Sequence, residues 1–119
     1  MPPGRHCFEF RDETWFATDV YALLREYGVA LVIADHPERR YQTHELTAEW
    51  TFVRFHTGSR GRNGNYSETE LRAWAARIDD WRGQAEVYAY FNNDWLGFAP
   101  KNAASLRAKI GAPKQRARR

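Results

Sequence analysis

Four separated stretches of this 119-residue chain carry groups able to move protons or hold charge: Glu9 with Arg11, Asp35, Arg54 with His56, and Tyr90, Asn92, Asn93 and Asp94. A histidine beside carboxylates can serve as general acid or base, arginines can neutralise an anion, and amides can hold hydroxyls or phosphate oxygens. In such chemistry His56 exchanges the proton, Asp35 or Glu9 orients it, and Arg11 and Arg54 hold charge. Tyr90, Asn92, Asn93 and Asp94 would then contact the substrate. The alternative is that Glu9 pairs with Arg11 or Arg54 in structural ion pairs, each polar group satisfying another.

Gly58 opens a Gly- and Asn-rich loop, GSRGRNGNY, where Arg60, Arg62 and backbone amides can meet an anion. It lacks a Gly-Lys-Ser/Thr ending, so it is no nucleotide P-loop, and a plain surface turn is its other reading. Trp15 and Trp95 follow strand ends, where they can stack on a ring or base or simply pack down a loop. Asp35, His36, His44 and His56 follow no recognised ligand spacing, so no metal is expected, and no cofactor is implied.

The elements that must position these groups follow from periodicity. Cys7 to Arg11 alternates, with Phe8 and Phe10 on one face and Cys7, Glu9 and Arg11 on the other. Thr18 is the expected N-cap of a helix whose stripe is Val20, Leu23, Leu24 and Tyr27, ended by Gly28. Val29 to Asp35 is apolar until its last residue, as in a parallel strand covered on both faces. No helical period is visible from His36 to Glu49. Trp50 to His56 then sets Phe52, Arg54 and His56 against Val53 and Phe55. Ser67 and Glu70 have capping-box spacing, and Leu71, Trp74, Ala75, Ile78 and Trp81 form the stripe of a helix ended by Gly83. Glu86 to Asn92 alternates Val87, Ala89 and Phe91 with Tyr88, Tyr90 and Asn92. After a turn at Gly97, Pro100 suits the first turn of a last helix with Ala103, Leu106 and Ile110 on its apolar side.

Alternating β and α segments imply an α/β fold with a parallel sheet. Three strands pair an aromatic, apolar face with a polar one, which favours a barrel wall over an open doubly wound sheet. A complete TIM (βα)8 barrel needs about 250 residues, so residues 1–111 would form a half barrel of four parallel βα units. Its two unpaired edges predict dependence on a missing amino-terminal half or on self-association.

With 43% hydrophobic and 15% aromatic residues, the chain has the composition of a folded domain. No apolar run has the length of a membrane span and MPPGRHCFEF lacks a secretion signal's apolar core, so no membrane partner and a cytoplasmic location are expected. A single cysteine, Cys7, fits a reducing compartment. Of the net charge of +3, Lys114, Arg116, Arg118 and Arg119 supply four units, leaving the body at −1. Residues 112–119 therefore read as a basic, disordered tail, which keeps a protein soluble or, alternatively, binds nucleic acid.

The segments EFRDETW (9–15), TAEWTFVRFHTG (47–58), the Tyr66-Ser67 helix start and YFNNDWLGFAPKNAASL (90–106) resemble the carboxyl-terminal half of the YecE-like family, domain of unknown function 72. Thr14 stands where a serine is usual, and Thr57 separates a commonly adjacent His-Gly. The resemblance implies strands five to eight of a TIM barrel, with one to four missing, and no established reaction. Two functions remain in view: a hydrolase-like activity of the full barrel on an anionic substrate such as a phosphodiester, or a non-catalytic binding module or inactive fragment.

Overall fold

The computed structural model describes residues 4–37, 44–58, 64–93 and 97–110. It is a mixed α/β structure with five short strands, all parallel, and three helices among those residues. Strand β1 (Cys7–Phe8) pairs with β2 (Ala30–Leu31), and β3 (Ile33–Asp35) pairs with β4 (Trp50–Phe55), which pairs with β5 (Glu86–Phe91). Val32 alone separates β2 from β3. The single strand expected over Val29 to Asp35 therefore passes from one neighbour, β1, to the other, β4. Val29 to Ala34 are all buried, as expected of a strand covered on both faces. The amino end of this run is fastened by Thr47, whose buried hydroxyl donates to the Val29 carbonyl and accepts from the Leu31 N–H.

Register decides which side chains share a face. Ile33 lies opposite Val53, Asp35 opposite Phe55, Val53 opposite Ala89, and Arg54 opposite Tyr90. Helices α1 (Thr18–Glu26), α2 (Glu68–Trp81) and α3 (Phe98–Lys109) all pack on the Leu31, Ile33, Val53 and Phe55 side. The opposite, open face carries Trp50, Phe52 and Arg54 of β4 with Tyr88 and Tyr90 of β5. Two apolar clusters make the core: Tyr21, Leu24, Val29 and Leu31 under α1, and a larger one under α2 and α3.

Helix α2 has every feature its sequence predicts. Ser67 Oγ accepts from Glu70 N–H and Glu70 Oε1 accepts from Ser67 N–H, and Leu71, Trp74, Ala75, Ile78 and Trp81 are all buried. Burial of each large apolar side chain contributes roughly 1.5–3 kcal/mol, so this stripe anchors the fold.

The other helices depart from their predicted faces. Helix α1 begins at Thr18 rather than after it, with Ala17 as an N-cap that makes no side-chain bond. It buries Tyr21 and Leu24, leaving Leu23 and Tyr27 exposed, because the four-residue stripe is wider than the contact one strand offers. Gly28 does end the helix, at a φ of 63° that favours glycine. In α3, which starts at Phe98 after Gly97, the buried residues are Ala99, Asn102 and Leu106, while Ala103 is exposed. The first strand is shorter than Cys7 to Arg11: beyond Phe8 the chain leaves β2, and Phe10 packs on Trp15 and Phe16 instead. The expected tail over residues 112–119 lies outside the described residues.

Candidate functional site

The carboxyl ends of the strands bring Glu9, Arg54, His56 and Asn92 together. Arg54 is on the open face of β4, where its Nη1 donates to both Glu9 oxygens at 2.9 and 3.1 Å and its Nε donates to Asn92 Oδ1 at 3.2 Å. Arg11 Nη2 is 3.5 Å from Glu9 Oε2, and His56 Nε2 is 3.9 Å from Glu9 Oε1. One carboxylate thus faces two guanidinium groups and an imidazole. The Glu9 and His56 side chains are largely buried, at 14% and 16% exposed, whereas Arg11 is 63% exposed. Next to Arg54, the Tyr90 ring stacks on Phe52 with centroids 4.7 Å apart and remains half exposed.

Asp35 does not join this group. Its register opposite Phe55 places it on the helix face, and the Tyr66 hydroxyl donates to its Oδ2 at 2.8 Å. Counting Asp35 with the inward residues is therefore corrected by strand parity: it shares a side with Ile33, and Ala34 is the residue that shares a side with Arg54. Burial raises the Asp35 carboxyl above its ordinary value, a shift opposed by the Tyr66 hydrogen bond. Burial and the neighbouring Asp35 charge raise the Tyr66 phenol in turn. What touches His56 from the third strand end is a ring, His36, with centroids 5.8 Å apart.

Asn93 and Gly58 form a second, structural cluster. Asn93 is buried; its Nδ2 donates to Asn102 Oδ1 at 2.7 Å and to the Gly64 carbonyl at 3.0 Å. Asn102 Oδ1 also accepts from Tyr66 N–H, and its Nδ2 donates to Asn65 Oδ1. The Gly58 N–H donates to the Gly64 carbonyl at 2.8 Å, and a Cβ at position 58 would lie 2.3 Å from Asn65 O. Gly58 and Asn93 thus close the neck of the loop, and the Gly58 amide is committed there. Asn102 is absent from the sequence expectation, yet it falls three residues after Ala99 and four before Leu106. A polar residue on an apolar stripe is the available signal for a buried hydrogen-bonding role.

Trp15 sits in a 3-10 turn, Glu13–Trp15, capped by the Asp12 side chain, which accepts from both the Thr14 N–H and the Thr14 hydroxyl. A serine at position 14 carries the same donors. The Trp15 ring stacks on Phe10 and is half exposed. Asp94, Trp95, Arg60 and Arg62 lie outside the described residues. Among the described residues, no group of three or more His, Cys, Asp or Glu side chains is placed to hold a metal. An open cleft of about 670 Å³ lies at the other end of the strands, lined by Arg5, Thr47, Glu49, Trp50 and Gln84. Among the described residues it brings together no histidine and carboxylate as Glu9 and His56 are brought together, so the carboxyl ends carry the better candidate.

Solved structures share the fold. A DUF72 family protein of Thermotoga maritima matches with a TM-score of 0.77 and 26% identity, over 89% of this chain and 46% of that one. A DUF72 family protein of Enterococcus faecalis matches with a TM-score of 0.74 and 20% identity, over 93% of this chain and 49% of that one. The chain thus spans about half the length of these proteins. Comparison with the curated proteins finds no match. The family model described as "Protein of unknown function DUF72" matches residues 1–119, and the chain belongs to that family.

Proposed function

We propose that the chain forms half the wall of a (βα)8 barrel, strands five to eight, and contributes part of a hydrolytic site for an anionic substrate such as a phosphodiester. Two observations support the wall. All three helices lie on one face of an all-parallel sheet, whereas an open doubly wound sheet carries them on both. In addition, Arg5 reaches from just before β1 to Glu86 and Tyr88 on β5. Three strand spacings of a flat sheet amount to about 14 Å, so that contact fits a curled face better than a flat one.

The reaction rests on one observation, the meeting of Glu9 with His56 and two arginines at the strand ends. His56 takes a proton from a water that attacks phosphorus, the bond to the leaving oxygen breaks, and that oxygen receives the proton back from His56. Glu9 orients and stabilises the imidazolium, the role earlier shared with Asp35. Arg54 holds Glu9 in place, which leaves Arg11 as the cation most open to an anion. Tyr90 offers a ring face and Asn92 an amide beside it.

The test is turnover of a panel of phosphate mono- and diesters and single-stranded nucleic acids by the assembled protein, with His56→Ala and Glu9→Gln beside it. Activity is expected to fall about 100-fold or more in His56→Ala, the scale of general acid–base catalysis. Turnover equal to that of the wild type in both variants would remove this pair from the mechanism. A second reading, a binding module without turnover, is favoured by the completeness of the Glu9–Arg54–Asn92 bonding. Saturable binding of an anion with no product formed would select it.

A further inference from the structure

The two flanks of the sheet are open in complementary ways. Among the described residues β5 is hydrogen-bonded only to β4, and β1 only to β2. Glu86 and Asn92 donate their N–H groups to Glu49 and Phe55 carbonyls, and successive residues of a parallel strand alternate sides. Val87, Ala89 and Phe91 therefore turn their N–H groups outward. By the same alternation, His6 and Phe8 carbonyls serve β2 and its neighbour Val32, so Cys7 points its backbone groups to the other open edge.

Side chains flanking those edges differ in shape. Beside β5, on the helix face, an apolar groove of about 510 Å³ is lined by Ala89, Phe91, Ala103, Leu106 and Ile110, with Arg82 and Arg107 at its margins. Beside β1, on the same face, Phe8 projects at 51% exposed, and Leu23 of α1 is 55% exposed. Arg25, about 200° round the helix from Leu23, reaches Glu45, so Leu23 turns the other way, toward the β1 edge, while Tyr27 lines the cleft at the amino ends of the strands.

We infer that two copies of this chain close head to tail, the β1 edge of each adding to the β5 edge of the other with Phe8 seated in the Ala89, Phe91 and Leu106 groove. One chain carries both the projecting and the receiving half of the joint, which makes a second copy the fitting occupant. A twofold axis along the barrel repeats the joint, so the ring closes with no strand edge left exposed. The pairing rests on the half-wall architecture proposed above, and not on the chemistry of Glu9 and His56. It would gather two sets of those residues round one mouth.

Sedimentation of the full chain is expected to give a dimer whose thermal midpoint rises with protein concentration. Ala89→Pro removes an edge N–H that β4 does not use, a position where an edge strand tolerates proline. Phe8→Asp places a charge where the groove is apolar. Each variant alone is expected to lose the dimer while keeping its far-UV circular dichroism. An equimolar mixture should regain it, because one of its two joints is then built from unaltered edges. Should Phe8→Asp fail to fold, Leu23→Glu on the same flank replaces it. Dimers persisting in both variants, or no recovery on mixing, would overturn the pairing. So would a wild-type monomer at every concentration; slow amide exchange at Ile33 and Val53 would then leave the half wall standing, and its absence would remove both.

Discussion

Asp35 and Glu9 are both carboxylates at strand ends, yet their surroundings give them opposite roles. Glu9 faces two arginines and an imidazole; Asp35 faces Tyr66 and the α2 core, where charge is penalised. Its raised value means that the folded state binds a proton more readily than the unfolded chain. The stability linked to Asp35 is thus fully present below the unfolded value of about 3.8 and is lost as pH rises through the higher folded value. Asp35→Asn keeps an oxygen for the Tyr66 hydroxyl without the charge. It should raise the urea midpoint at neutral pH, with the difference from wild type closing as pH falls below about 3.8. A constant difference across that range would show that Asp35 titrates as in the unfolded chain. Two-residue alternation assigned Glu9 and Arg54 correctly from sequence, but Asp35 ends a run that is apolar on both faces. Nothing in VALVIAD marks the side on which its last residue lies.

At the scale of elements, the loop after β4 is fastened by groups from three places: Gly58, the Asn65–Tyr66 stretch, and Asn93 with Asn102 of α3. Asn102→Leu would leave the Tyr66 N–H and the Asn93 amide without their shared acceptor. A loss of about 2–3 kcal/mol is expected from the unfolding midpoint. Gly58→Ala forces its methyl into the Asn65 carbonyl and should cost about 1–3 kcal/mol, whereas the solvent-facing Ala104→Ser changes little. Helix α2 was fully legible because capping box, stripe and terminating glycine agree. Helices α1 and α3 were less so: periodicity locates an apolar stripe but not which part of it meets the sheet. In α1 that choice was made by a single strand, and in α3 by an amide pair between Asn93 and Asn102 that no periodic rule contains.

For the molecule as a whole, the unequal cores divide the fold. Strands β3, β4 and β5 share a large cluster with α2 and α3, while β1 pairs over two residues and leans on the smaller cluster under α1. Native-state hydrogen exchange should therefore find Ile33, Val53 and Leu71 opening only with global unfolding, and α1 with β1 opening at lower free energy. The parallel order and one-sided helices were readable from the alternation of element types and of strand faces. The break at Val32 was not, since it arises from a change of neighbour rather than of residue type. The Glu9–Arg54 bond joins these unequal parts, because Glu9 follows β1 and Arg54 belongs to β4. It works as a latch between a loosely held flank and a firm one. In the proposed reaction Arg11 meets the anion while Arg54 keeps its hold on Glu9, so the same contact that orders the mouth also keeps the first strand fastened to the firmer half.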